Sequence, residues 1–187
     1  MSPGRPGEGE VLHFSEDPTI TEFVPHVTPT ARVPGAYVWA VDAGQAPSYW
    51  FPRQCPRVLT WATAGTTAAD AQRILGPSGS SRLHAVEYAW LERMRTVRLY
   101  AYRLPAAPFR PFPEPEPARD GEPEPNAHVA QVAVRPLGPP EPVGDLFALH
   151  EEAGIELRVL PRLWPLWEAI VASTLGFSGI RLRNAQA

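Results

Sequence analysis

The chain has no lysine: all 17 basic residues among its 187 are arginine. That absence excludes Schiff-base and PLP chemistry, a lysine general base and the phosphate-binding lysine of a P-loop. Cysteine is nearly absent too. Cys55 alone permits no internal disulfide, which fits a reducing interior, and nothing around it signals a lowered thiol pKa. Long apolar runs are missing: Leu163 to Phe177 is the longest, at 15 residues, and it contains Glu168. Such a run is too short to span a bilayer, and MSPGRPGEGE lacks the apolar stretch of a signal peptide. The net charge is −3 with scattered arginines, so no footprint for nucleic acid is present. A cytoplasmic protein that engages neither nucleic acid nor membrane is the expectation.

Proline is the residue in excess. There are 24, and twelve fall within the 38 residues from Pro105 to Pro142. Hydrophobic residues at 44% leave ample material for a core. The pattern predicts a disordered tail over 1–9 and one α+β domain over 10–187, with a Pro/Glu-rich surface loop at about 105–126. That loop carries PEPEP at 113–117 and EPEP at 122–125, which favours extended, polyproline-like chain.

Apolar alternation predicts strands around Val11–Phe14, Ala36–Val41, Val58–Ala62, Leu83–Tyr88, Val97–Leu104, His128–Val134 and Ile155–Val159. Helical spacing follows Thr67, Asp145 and Pro161, with stops at Gly76, Gly154 and Gly176. A last strand is expected around Ile180 and Leu182. Several strands followed by a helical end predict an α+β fold, its sheet mixed or antiparallel.

Motif tests are mostly negative. GPSGSS at 76–81 has neither the spacing nor the context of a phosphate loop. His13, Cys55, His84, His128 and His150 never recur at metal-ligand spacing, so no metal is expected. Three clusters remain. His13-Phe-Ser-Glu-Asp17 ends a strand in hydrogen-bonding side chains, with His13 and Ser15 on one side; the plain alternative is that Ser15 and Asp17 cap a turn. Tyr49-Trp-Phe-Pro-Arg-Gln-Cys-Pro-Arg57 sets aromatics beside Arg53 and Arg57, which suits a planar anionic ligand such as a nucleotide; its alternative is a core-lining aromatic knot. Glu87-Tyr-Ala-Trp-Leu-Glu-Arg-Met-Arg95 offers Glu92 as a general base or as an ion-pair partner for Arg53 or Arg57.

These stretches, with EPVGDLFALHEEAGIELRVLPRLWPLWEAIVASTL, resemble a family of bacterial proteins of unknown function across nearly the whole chain outside the insertion. A more distant likeness is to small ADP-ribosyltransferases of the rifampin-modifying kind. VLHFSE is similar to their first strand, YVWAVDAGQAPSYW to their second strand and helix, and VRLYAYRLPAAPF to a later strand. That resemblance implies NAD as cofactor, with His13 at the ribose and an aromatic stacked on nicotinamide. Trp39 occupies the aromatic position, and Tyr49 substitutes only if its helix brings it near. An acid should orient the reacting ribose and stabilise developing positive charge; Glu92 and Glu141 are the acids considered. The expected ligand cleft is therefore lined by His13, Ser15, Trp39, Tyr49, Arg53 and Arg57. The competing expectation is a non-catalytic interaction module using the acidic proline loop and the C-terminal helix.

Overall fold

The structure, a computed structural model, describes residues 3–27, 35–112 and 127–187. The chain is α+β and is built as two compact units. The first unit takes Met1–Trp50 with Arg98–Gly144, and the second takes Phe51–Val97 with Asp145–Ala187.

In the first unit, β1 (Glu10–Ser15) pairs antiparallel with β5 (Tyr100–Pro105), and β5 with the two-residue β8 (Glu141–Pro142). A second antiparallel sheet has the order β2 (Val38–Ala40), β7 (Ala127–Ala130), β6 (Arg110–Phe112). The Leu12↔Val41 bridge joins β1 to the end of β2. Val11, Phe23, Val38, Ala40, Tyr102, Leu104, Ala130 and Val134 form this unit's apolar core. Strand period places Val38 and Ala40 in that core and turns Trp39 to the other face of β2.

In the second unit a mixed sheet has the order β10 (Gly176–Ile180), β3 (Arg57–Trp61), β4 (Arg82–Glu87), β9 (Glu156–Leu160). Only the β4–β9 pairing is parallel. Its helices are α1 (Ala68–Asp70, continued by a wider turn to Leu75), α2 (Leu91–Thr96), α3 (Leu146–Glu152) and α4 (Trp164–Val171). Val58, Ile74, Leu75, Leu83, Ala85, Leu163, Ile170 and Leu175 form the second core. Asp145 caps α3 by accepting from the Phe147 and Ala148 amides, and Thr67 caps α1 by accepting from the Asp70 amide.

The α+β class is as expected, and three local readings change. Residues 3–9 are held rather than loose: the Gly4 carbonyl accepts from Trp50 Nε1 at 3.1 Å, and the Gly7 amide donates to Glu10 at 2.8 Å. Part of the expected proline loop is β6, where Pro111 is tolerated because the strand is a sheet edge; residues 113–126 lie outside the described chain. The last helix starts at Trp164 with Pro165 in its first turn and ends at Val171, and the last strand begins at Gly176 instead of near Ile180. No helix among the described residues is long and apolar enough to cross a membrane.

Candidate functional site

His13, Ser15, Trp39 and Tyr49 all belong to the first unit. His13 stands opposite Tyr102 in the β1–β5 register, and its ring packs on Phe23 at 4.6 Å. Phe23 in turn meets Tyr102 edge-on at 5.2 Å. The His13 Nδ1 lies 2.8 Å from the Trp39 carbonyl, to which it donates. His13 therefore reaches the backbone of Trp39 from the core side, while the indole occupies the opposite face of β2.

Ser15 is buried, and its Oγ accepts the Asp17 amide at 3.1 Å. Asp17 accepts from both the amide and the hydroxyl of Thr19, which holds its carboxyl below the ordinary carboxylate value. The Tyr102 hydroxyl closes the same turn: it donates to the Asp17 carbonyl at 2.6 Å and accepts from the Ile20 amide at 3.1 Å. The turn-capping reading of this cluster is thus what these bonds describe. Tyr49 ends a single helical turn, Ala46–Tyr49, that Asp42 secures by accepting the Gln45 amide at 2.9 Å.

The outward face of the β2–β7–β6 sheet carries three aromatic rings. Trp39 meets Phe112 at 4.9 Å and Tyr37 at 5.9 Å, and Tyr37 meets Phe112 at 5.6 Å, all edge-to-face. The Trp39 indole nitrogen is shielded from water and has no acceptor among the described residues. On the same sheet His128 Nδ1 is likewise buried without a hydrogen bond, 3.9 Å from Asp42 Oδ2, too far to share a proton. The sequence signal for the trio existed only in part: Tyr37 and Trp39 alternate in YVW, whereas Phe112 sits in a proline-rich stretch read as loop.

Arg53, Arg57 and Glu92 belong to the second unit. Arg57 is buried, donates to the Cys55 carbonyl at 3.0 Å, and lies over the Phe51 ring at 5.0 Å. Arg53 and Glu92 are exposed, Glu92 in the first turn of α2. Glu141, in the first unit, is engaged by Arg103, which donates Nε–H to Oε1 at 2.8 Å and Nη2–H to Oε2 at 3.1 Å. Burial pushes the Cys55 thiol up to about 12, which removes it as a nucleophile. Among the described residues no group of histidines, cysteines and acids is placed to hold a metal ion.

Sequence reasoning passed over one further constellation, in the second unit. His84 and His150 are both buried, with His84 Nδ1 and His150 Nε2 3.0 Å apart. In the sequence each is only a candidate metal ligand, and no local spacing connects residues 66 positions apart. Glu87 was also missed as a structural group. It is buried, and its carboxylate accepts the amides of Leu163 at 3.2 Å and Gln186 at 3.1 Å.

Neither a curated protein nor a solved structure matches the chain. Residues 12–185 match the profile of DUF6886, described as a family of unknown function, and the chain belongs to that family.

Proposed function

We propose that the first unit binds a nucleotide-type ligand of the NAD or ADP-ribose class on the aromatic face formed by Tyr37, Trp39 and Phe112. The observation that carries this reading is the Trp39 indole N–H, which is buried beside two aromatic rings and has no acceptor among the described residues. A buried donor left without a partner costs about 1–3 kcal/mol, and a ligand carbonyl placed against it recovers that energy. Planar bases and carboxamides offer both requirements, a π-face for the rings and an acceptor for the indole. The distant likeness of VLHFSE and YVWAVDAGQAPSYW to ADP-ribosyltransferases supports the same ligand class.

In this reading His13 is a positioning residue. Its bond to the Trp39 carbonyl fixes the strand that carries the indole. No catalytic acid is assigned, and the reading commits to binding.

Calorimetric titration of the full chain with NAD and with ADP-ribose tests it. Binding of either is expected, and Trp39→Phe, which keeps a ring but loses the N–H, should weaken it roughly tenfold, about 1.4 kcal/mol. No binding of either compound at millimolar concentration overturns the proposal. Chromatographic detection of released nicotinamide decides separately whether binding leads to turnover.

A further inference from the structure

In the second unit a chain of hydrogen bonds connects β4 to α3. Arg82 Nε–H donates to His84 Nε2 at 2.9 Å. His84 Nδ1 lies 3.0 Å from His150 Nε2, and His150 Nδ1 lies 2.7 Å from the Leu146 carbonyl. The two ends fix every proton between them. A guanidinium only donates, so His84 Nε2 accepts and its proton sits on Nδ1. A carbonyl only accepts, so His150 carries its proton on Nδ1 and offers the Nε2 lone pair to His84. Two rings share two protons, and both lone pairs are occupied.

We propose that the His84–His150 pair is an acid-sensitive latch, in which a third proton entering the pair breaks the chain and releases α3 from β4. A proton on His150 Nε2 would face the His84 Nδ1–H, and a proton on His84 Nε2 would face the Arg82 N–H. Neither can be accommodated without losing the bond.

The surroundings favour the neutral pair. His84 is fully buried and His150 almost so, and Phe51 packs on both rings at 5.6 and 5.1 Å. The charges that bear on His84 are cationic, His150 itself when protonated, then Arg82 from β4 and Arg57 from β3; at His150 the bond to the Leu146 carbonyl opposes the downward shift, and Arg82 adds to it. On β9 the residue opposite His84 is Leu157; its flanking Glu156 and Arg158 pair with each other at 2.7 Å. The charged residues of α2 (Glu92, Arg93 and Arg95) and of α3 (Glu151 and Glu152) are exposed. Burial is the largest cause holding both rings below the ordinary histidine value, His150 at about 4 and His84 well below normal.

The sign follows directly. Released or unfolded, each ring takes up a proton near 6.5, whereas the latched pair takes up none until the pH is well below that. The stabilisation is complete above about pH 6.5 and is lost as pH falls through the window down to about 4. An opening that frees both rings binds two protons, so its equilibrium constant rises by up to about 100-fold per pH unit there.

Hydrogen exchange of the full chain at pH 7.5 and 5.0, corrected for intrinsic rates, reads the latch. The amides of α3 should lose protection at pH 5.0 ahead of those of β3 and β10; equal protection at the two pH values overturns the proposal. In His150→Leu the pH dependence of α3 opening should fall to about tenfold per unit or less, the uptake of one remaining histidine. Should that variant not fold, nitrogen-15 NMR of the native imidazoles decides. Two neutral rings protonated on Nδ1 at pH 5.5 are expected, and a ring that titrates near 6.5, or carries its proton on Nε2, refutes the latch.

Discussion

Cys55 shows how environment sets the chemistry of one side chain. Its sulfur is buried, and its thiol donates weakly to the Pro56 carbonyl. Burial raises the thiol to about 12; Arg57 opposes the shift, and Glu87 adds to it. At pH 8 the native thiolate fraction is then smaller than that of a free cysteine by roughly a thousandfold or more. Labelling with an aromatic disulfide reagent at pH 8 should therefore be negligible in the native chain and rapid in denaturant. Fast native labelling would show that the thiol is neither shielded nor raised. Gly176 presents the opposite case, a residue defined by what it lacks. It stands directly across from Trp61 in the β3–β10 register, and a Cβ there would collide with the indole. The Thr60 hydroxyl donates to the Gly176 carbonyl at 2.8 Å and fixes that approach from the other side. Gly176→Ala should cost about 1–3 kcal/mol, the usual penalty of overpacking, measured by denaturant unfolding.

Arg103 acts on a whole sheet. From β5 it reaches Glu10 on β1 at 2.7 Å and Glu141 on β8 at 2.8 Å, so one guanidinium ties all three strands. Its Nη1–H also donates to the Arg5 carbonyl at 3.2 Å, which anchors the N-terminal segment. The Gly7 amide first, and Arg103 second, hold the Glu10 carboxyl below its ordinary value of 4.5. A depressed carboxylate stabilises the fold above that value and loses the contribution as pH falls through the depressed one. Arg103→Met should cost about 2–4 kcal/mol, because two carboxylates lose their partner in a partly dry setting. It should also flatten the pH dependence of stability below about 4.5, read by unfolding at pH 5 and pH 3. A variant as stable as the parent would reduce the clamp to a surface ion pair. The strands of the two cores were legible as short runs rich in apolar residues, such as Val11–Phe14 and Leu83–Val86, the second buried on both faces. The short strands β6 (RPF) and β8 (EP) were not, because proline-bearing segments of two or three residues exist only through their partners. Helix starts at Thr67 and Asp145 were legible from their caps, whereas α4 ran past its true end in the sequence because Leu175 is as apolar as a helical core residue. Of the expected cleft, the strand order was not visible in pattern: β1 and the end of β2 meet only through the Leu12↔Val41 bridge, which packing sets. That the Trp39 ring faces away from His13 is a matter of strand parity and packing, which the motifs do not encode.

At the scale of the molecule the chain crosses from one unit to the other three times, after Trp50, Val97 and Gly144, so neither unit is a continuous stretch. The second unit depends on this most. Its central pair β3 and β4 comes from the middle of the chain, while both flanking strands, β9 and β10, come from the C-terminal segment with α3 and α4. A chain ending at Gly144 would leave β3 and β4 as an isolated hairpin, which is marginal in water. Glu87 would lose both backbone donors, Leu163 and Gln186, and His84 would lose His150. Val58, Leu83 and Ala85 would lose Leu163, Ile170 and Leu175 from their core. Each loss is severe alone, and together they exceed the roughly 5–15 kcal/mol that holds a domain folded. Cys55 supplies the readout, since it lies in the second unit and is buried in the native chain. In a chain truncated after residue 144 the thiol should react with a disulfide reagent at nearly the rate of the denatured protein. Persistent protection of Cys55 would mean that residues 51–97 hold their structure without the C-terminal segment, and that the two-segment construction of the second unit is not what keeps it folded.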